Sequence, residues 1–348
     1  MKSLFSFNLV AALLLIVSGC SPSSESSNTS NSTPAASEKP KVAYVTNGVA
    51  SFWVIAESGV KQGGSDFDAD TQVLMPAEGI SDQKRMIEDL ITKGIDGIAV
   101  SPIDPVNQTE LLNQAAKYTK LITHDSDAPD SNRLCYIGMD NYLAGRMCGE
   151  LVKESMPEGG KLAIFIGRLE QDNAKRRRQG VIDAILGRSE DPSRFDPPDA
   201  EIKEGPWHIV GTYTDQFDRA QGKANAEDAL SRHPDLGGMV GLFAYNPPLM
   251  LEALKQAGKL GEVKVIAFDE ADETLQGIID GTVHGTVVQN PYEYGRQSVR
   301  VLAGLVRGET LSDLGIPESG FLNIEASKIR SDNVEEFWAE LKKNLGEQ

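Results

Sequence analysis

Three cysteines, four histidines and no surplus of positive charge leave little room for several common chemistries. His124, His208, His233 and His284 lie far apart, without metal-ligand spacing, so no metal site is expected. Lys and Arg number 34 against 51 Asp and Glu, for a formal charge of −17. Nucleic-acid binding needs a basic footprint, and the only cluster is the short run from Lys175 to Arg178. No nucleic-acid partner is therefore expected. The chain also lacks G-x-S-x-G, H-E-x-x-H and the phosphate-loop pattern G-x-x-x-x-G-K-[ST], so neither a cofactor nor an enzyme is indicated. Paired carboxylates such as Asp125 and Asp269 keep acid/base work as a minor alternative. The longest unbroken apolar run, Leu9 to Val17, is too short for a bilayer, which needs roughly 20 residues. Behind Lys2 it fits the core of a secretory signal, and residues 1–19 are expected to be removed.

That run ends in Val17-Ser18-Gly19-Cys20, which resembles the lipobox of bacterial lipoproteins. The resemblance implies cleavage before Cys20 and lipid on its sulfur. Residues 20–40, rich in Ser, Asn, Thr, Ala and Pro, have no apolar face to bury and read as a disordered tether. The expected location is the periplasmic or extracytoplasmic face of a membrane, held by the lipid alone. Cys135 and Cys148 could pair in such a compartment. They read as one strand residue and one helix residue, and two buried thiols are the favoured state.

About 308 residues remain, enough for two domains of roughly 150 each. Apolar runs of four to eight residues alternate with helical patterns in two series, the second beginning near Asp140. This is the signature of strands in a parallel sheet buried on both faces. Several runs end in one polar side chain: LITHD in Asp125, VIAFD in Asp269, GTVVQ in Gln289. In such sheets ligands bind beyond the carboxyl ends of the strands. The expectation is an α/β protein with two doubly wound parallel-sheet lobes joined by a multi-strand hinge. The stretch RSEDPSRFDPPDAEIKEGPW reads as a surface insertion without a packed element of its own.

The body from about Lys41 to Gly308 resembles the ribose-binding type of periplasmic sugar-binding protein, the ligand receptors of sugar ABC importers. The resemblance rests on the order of short motifs: FW at Phe52-Trp53, THDSD around Asp125, YIGMDNYLAG from Tyr136, NAKRRRQG from Asn173, DQFDRAQG from Asp215, FAYNPP, AFDE and VVQNP. It implies the type I periplasmic binding protein fold and a monomer that captures a monosaccharide for an importer permease. A receptor serving a sensor kinase or chemoreceptor, including one for a furanosyl signalling molecule, is the alternative. Carried over by position, the binding residues are Phe52, Trp53, Asp125, Arg177, Phe217, Asn246, Asp269 and Gln289. Asn173 and Asn47 are added from their places on the helix and strand end. Two departures put ribose itself in question: Ser126 stands where ribose binders have Arg, and Val49-Ala50-Ser51 precede the aromatic pair without an Asn. The lobes are expected over 41–139 plus 290–318 and 140–289 plus 319–348. Crossovers are placed near Met139, near Gln289 and between about Gly315 and Phe321.

Overall fold

The computed structural model describes residues 39–345. The signal segment, Cys20 and all but the end of the tether lie outside the described residues.

The first βα series runs β1 (Lys41–Val45), α1 (Ser51–Asp66), β2 (Asp70–Leu74), α2 (Ile80–Thr92), β3 (Gly97–Val100), α3 (Pro105–Ala115), β4 (Lys120–His124) and β5 (Tyr136–Gly138). The second runs α4 (Asn141–Ser155), β6 (Gly160–Ile166), α5 (Asp172–Ile185), β7 (Ile202–Glu204), β8 (Trp207–Thr214), α6 (Arg219–Arg232) and β9 (Gly238–Gly241). It continues through α7 (Asn246–Gln256), β10 (Lys264–Phe268), α8 (Asp272–Ile279) and β11 (Gly285–Val288). Then come α9 (Pro291–Val306), β12 (Phe321–Asn323), β13 (Ser327–Ile329) and α10 (Val334–Leu345).

Two sheets result, ordered β12-β5-β4-β3-β1-β2 and β13-β11-β10-β9-β6-β8-β7. Every pairing in the first is parallel; only β7 and β13 run antiparallel to their neighbours in the second. Strands β3, β9 and β11 are buried along their whole length, because helices cover both faces. Asp104, Asp140, Asp218 and Asn290 each accept a backbone N–H at the start of α3, α4, α6 and α9. Such caps fix where the helices begin.

The chain leaves the first sheet after β5, returns after β11, and crosses again between Asn323 and Ser327. The third crossing is later than expected, and residues 319–323 belong with the first sheet. Phe321 stacks on Tyr136 at 5.3 Å while its strand pairs with β5, which draws this segment across. The acidic insertion is also more ordered than expected. Gly205 turns with a φ of 55° and closes a hairpin in which Glu204 faces Trp207, so β7 forms. Upstream of it, Asp196 accepts from Gln179 and Arg188, and Arg178 donates to the carbonyls of Asp196 and Pro197. Helix α10 packs Phe337, Trp338 and Leu341 on the second lobe and also touches α1 of the first. Among the described residues no helix is long and apolar enough to cross a membrane.

Candidate ligand-binding site

The carboxyl ends of the two sheets face one cavity of about 660 Å³. It is lined from the first lobe by Asn47, Phe52, Trp53 and Asp125, and from the second by Asn173, Arg177, Phe217 and Gln289. Eight of the ten residues expected from sequence are thereby brought together. The other two lie behind the wall.

Asp125 follows β4 in a left-handed conformation, φ 57°, and Asp269 follows β10 with φ 65°. Non-glycine residues rarely adopt this backbone, and such positions gather at functional sites. The turn is held in the same way in both lobes. The Asp125 N–H donates to Ile137 and the Asp269 N–H to Val287, each on the next strand. Tyr136 and Thr286 hydroxyls donate to the Asp125 and Asp269 carbonyls, both at 2.8 Å.

Asp125 Oδ2 accepts from Ser101 Oγ at 2.8 Å and from Asn47 and Asn173 amides at 3.2 Å. The Asn173 bond crosses between lobes. Burial lifts the Asp125 carboxyl to about 6, against the opposing pull of Arg177 and the Ser101 hydrogen bond. Asp269 is likewise raised by burial and held down in part by Arg177 and Gln289. It is covered by Gln289, whose Nε2 donates to Oδ1 at 2.7 Å, and so does not line the cavity directly.

Arg177 is completely buried, although it stands in a run of basic residues. Its neighbours Arg176 and Arg178 turn to Asp172 and the insertion, while Arg177 points inward. Nη1 donates to the Leu242 carbonyl at 2.8 Å and Nη2 to Asn141 Oδ1 at 3.0 Å. Phe268 lies 4.0 Å beneath the guanidinium and Asp269 Oδ2 3.9 Å away. The helix carrying it can approach α4 only through glycine. A Cβ on Gly145 would stand 2.1 Å from the Arg177 carbonyl, and one on Gly180 2.1 Å from that of Tyr142.

The aromatic residues divide in two. Phe52 and Trp53 meet edge to face at 4.7 Å and are nearly buried, so they form a fixed wall on the first lobe. Phe217, with φ 66°, stacks on Phe243 at 5.7 Å and carries the Arg168 guanidinium over its face at 5.2 Å. Asn246 serves another purpose than expected. It accepts from the Phe243 N–H and donates to Asp215 Oδ2 at 3.0 Å, and Tyr245 donates to the same carboxylate. Asn246 thus shapes the Phe243–Tyr245 wall from behind. His124 is held within the first lobe: its Nε2 meets the Val45 carbonyl, its ring stacks on Tyr44, and burial lowers its pKa to about 3. Cys135 and Cys148 are buried free thiols, each pushed up to about 12 by burial. Sequence reading missed Ser101, Arg168, Gln171 and Tyr245, which sit in loops without periodic signal.

A family model described as the periplasmic binding protein domain matches residues 42–310. The chain belongs to that family. It is 25% identical over 264 residues to the ribose import binding protein RbsB of Salmonella typhimurium, covering 74% of this chain and 81% of the relative. It is also 25% identical over 325 residues to the D-ribose/D-allose-binding protein of Pseudomonas aeruginosa, covering 89% and 94%. A solved relative is the ABC transporter solute binding protein of Burkholderia graminis in complex with D-arabinose. That structure superposes with a TM-score of 0.74 at 27% identity, over 84% of this chain and 95% of the other. As a periplasmic binding protein, the chain keeps a fold of two lobes with parallel-dominated sheets and a cleft between their carboxyl ends.

Proposed function

We propose that this periplasmic binding protein captures a monosaccharide in the interlobe cleft and delivers it to an ABC importer. The observation that carries the reading is a cleft with Asp125 from one lobe, Gln289 backed by Asp269 from the other, a buried Arg177 whose charge acts on both carboxylates, and aromatic faces on either side. Carboxylates accept from sugar hydroxyls, amides and guanidinium donate to them, and flat rings cover the C–H face of a sugar ring. The similarity to proteins named for ribose, allose and arabinose supports the ligand class and leaves the sugar open. The relatives are named for binding and import, which supports binding as the role.

Each lobe supplies half of the contacts, so the full binding free energy is realised only when the lobes meet. The Asn173–Asp125 bond already links them. Domain closure about hinge strands is a general mode of ligand capture, for which periplasmic binding proteins are a standing example. Here the hinge would be the three crossings at 139–140, 289–290 and 324–326, with 41–139 and 290–323 in one lobe.

The test is a thermal-shift screen of residues 39–348 against D-ribose, D-allose, D-arabinose, D-fucose and D-glucose. A sugar at 100 times its dissociation constant should add about 2.7 kcal/mol. That is a rise of several degrees, with a smaller radius of gyration by scattering. If no sugar in the panel moves the melting temperature, monosaccharide capture is wrong.

Export and anchoring belong to the same reading. Cys20 would carry the lipid and residues 21–40 the tether, placing the monomeric body at the outer face of a membrane. Mass spectrometry of the mature protein should find an N-terminal acylated Cys20, and Cys20→Ser should move it to the soluble fraction. An unmodified N-terminus would refute the anchor.

A further inference from the structure

We infer that Gln171 reads two neighbouring hydroxyls of the captured sugar and sets which sugars the cleft accepts. The inference rests on the sugar-binding reading and adds a residue that resemblance does not supply.

Gln171 is fully buried and lines the cleft, yet neither its Nε2 nor its Oε1 has a hydrogen-bond partner. The other buried glutamines are satisfied at both atoms. Gln83 donates to the Thr46 and Ser101 carbonyls and accepts from the Ile103 N–H. Gln108 donates to Gln83 and accepts from the Asp104 N–H. Gln179 donates to Asp183 and Asp196 and accepts from the Asp196 N–H. Gln289 donates to Asp269 and accepts from Tyr294. Buried amides are normally paired in this way, so an unpaired one asks for a partner that arrives later.

Its position supports the same conclusion. Gln171 is the residue before the first turn of α5, with φ −71° and ψ 136°, but its side chain makes no capping bond. The amide is therefore not spent on the helix. Two further unpaired atoms belong to cleft residues on that helix, Asn173 Oδ1 and Arg177 Nε, and a third, Arg168 Nε, begins the same loop. Together these atoms offer three donors and two acceptors. A carboxamide offers a donor edge and an acceptor edge in one plane, and adjacent hydroxyls can each do both. A carboxylate or a phosphate could satisfy only the donors. The chemistry recognised is a neutral vicinal diol.

The proposal predicts opposite signs for two measurements on Gln171→Leu. Removing an unpaired buried amide should raise the melting temperature of the ligand-free protein. Affinity for the best sugar of the panel should fall about 30-fold, as expected for lost hydrogen bonds to a buried partner. Calorimetry on the deoxy analogues of that sugar then locates the contact. Wild type should discriminate about 30-fold against the analogues lacking either hydroxyl of the pair, and Gln171→Leu less than threefold. A variant that melts lower and loses affinity evenly across all analogues would show a packing role and overturn the inference. So would unchanged affinity and selectivity, which would leave the amide to solvent. If wild type binds no sugar in the panel, both this inference and the reading beneath it fall; failure in the variant alone removes only the inference.

Discussion

Arg177→Met is expected to unfold about 6–20 °C below wild type at pH 7.5 and to lose sugar binding by 30-fold or more. The guanidinium is the only positive charge seated with Asp125 and Asp269 among the described residues, and all three are buried. Removing one partner of a buried charge set costs about 3–5 kcal/mol because the others stay behind uncompensated. For bodies of this size each kcal/mol moves the melting temperature by roughly 2–4 °C. Methionine keeps much of the volume over Phe268, so the loss reports charge and hydrogen bonding, not a cavity. Two controls sharpen the result in scanning calorimetry. The deficit should shrink at pH 5, where the stranded carboxylates can take up protons. Adding Asp269→Asn should recover part of it. A single variant that melts with wild type would mean that Arg177 does not hold the carboxylates.

The second large effect is a pair of opposed pH dependences at Asp125. In the unfolded chain this carboxyl titrates near 3.9, while burial in the folded, ligand-free protein places it at about 6. The folded state thus binds more protons between these values. Its contribution to stability is fully present below about pH 4 and is lost as the pH rises through 6. The difference between the two states corresponds to something on the order of 3 kcal/mol. Sugar capture should run the other way. Hydroxyl donors favour the ionised acceptor, so affinity should fall below pH 6, approaching tenfold per unit. Asp125→Asn should remove both slopes, melt above wild type without ligand at neutral pH, and bind weakly at every pH. Asparagine is the right substitution, because it tolerates the left-handed turn that alanine would strain. Asp269 and Glu270 are also raised by burial and add slope of the same sign, so the readout is the difference between wild type and variant. Equal slopes in the two proteins would place the titration elsewhere.

The elements were legible because strand and helix periods differ and their ends are punctuated. Helix α4 spans Asn141–Ser155, directly after Asp140, near which the second series was expected to begin, since Asp140 caps it and apolar positions recur on one face. Arg177 came from the resemblance and Asn173 from its place one helical turn before it; the basic run itself does not single out Arg177 as the completely buried member. What escaped were residues whose roles depend on distant loops. Nothing in the sequence near Asn246 says that Asp215, 31 residues earlier, will occupy its amide. The same holds for Ser101 under Asp125 and for the placement of Gln171. The third crossing was misjudged because the segment before Phe321 has no period, and only the stacking on Tyr136 decides which sheet it joins.

The strand order of the first sheet, β2-β1-β3-β4-β5, is repeated in the second as β8-β6-β9-β10-β11. Asp125 and Asp269 occupy equivalent places, each in the same left-handed turn after the fourth strand of its series. Asp125 faces the cleft itself, whereas Asp269 reaches it only through Gln289, so the two equivalent turns offer a carboxylate on one side and an amide on the other. The halves differ further in the Phe52–Trp53 wall of the first lobe and in Arg177 over Phe268 in the second. A cleft built on one repeated frame would thus tell one ligand from another through the groups in which its two halves differ.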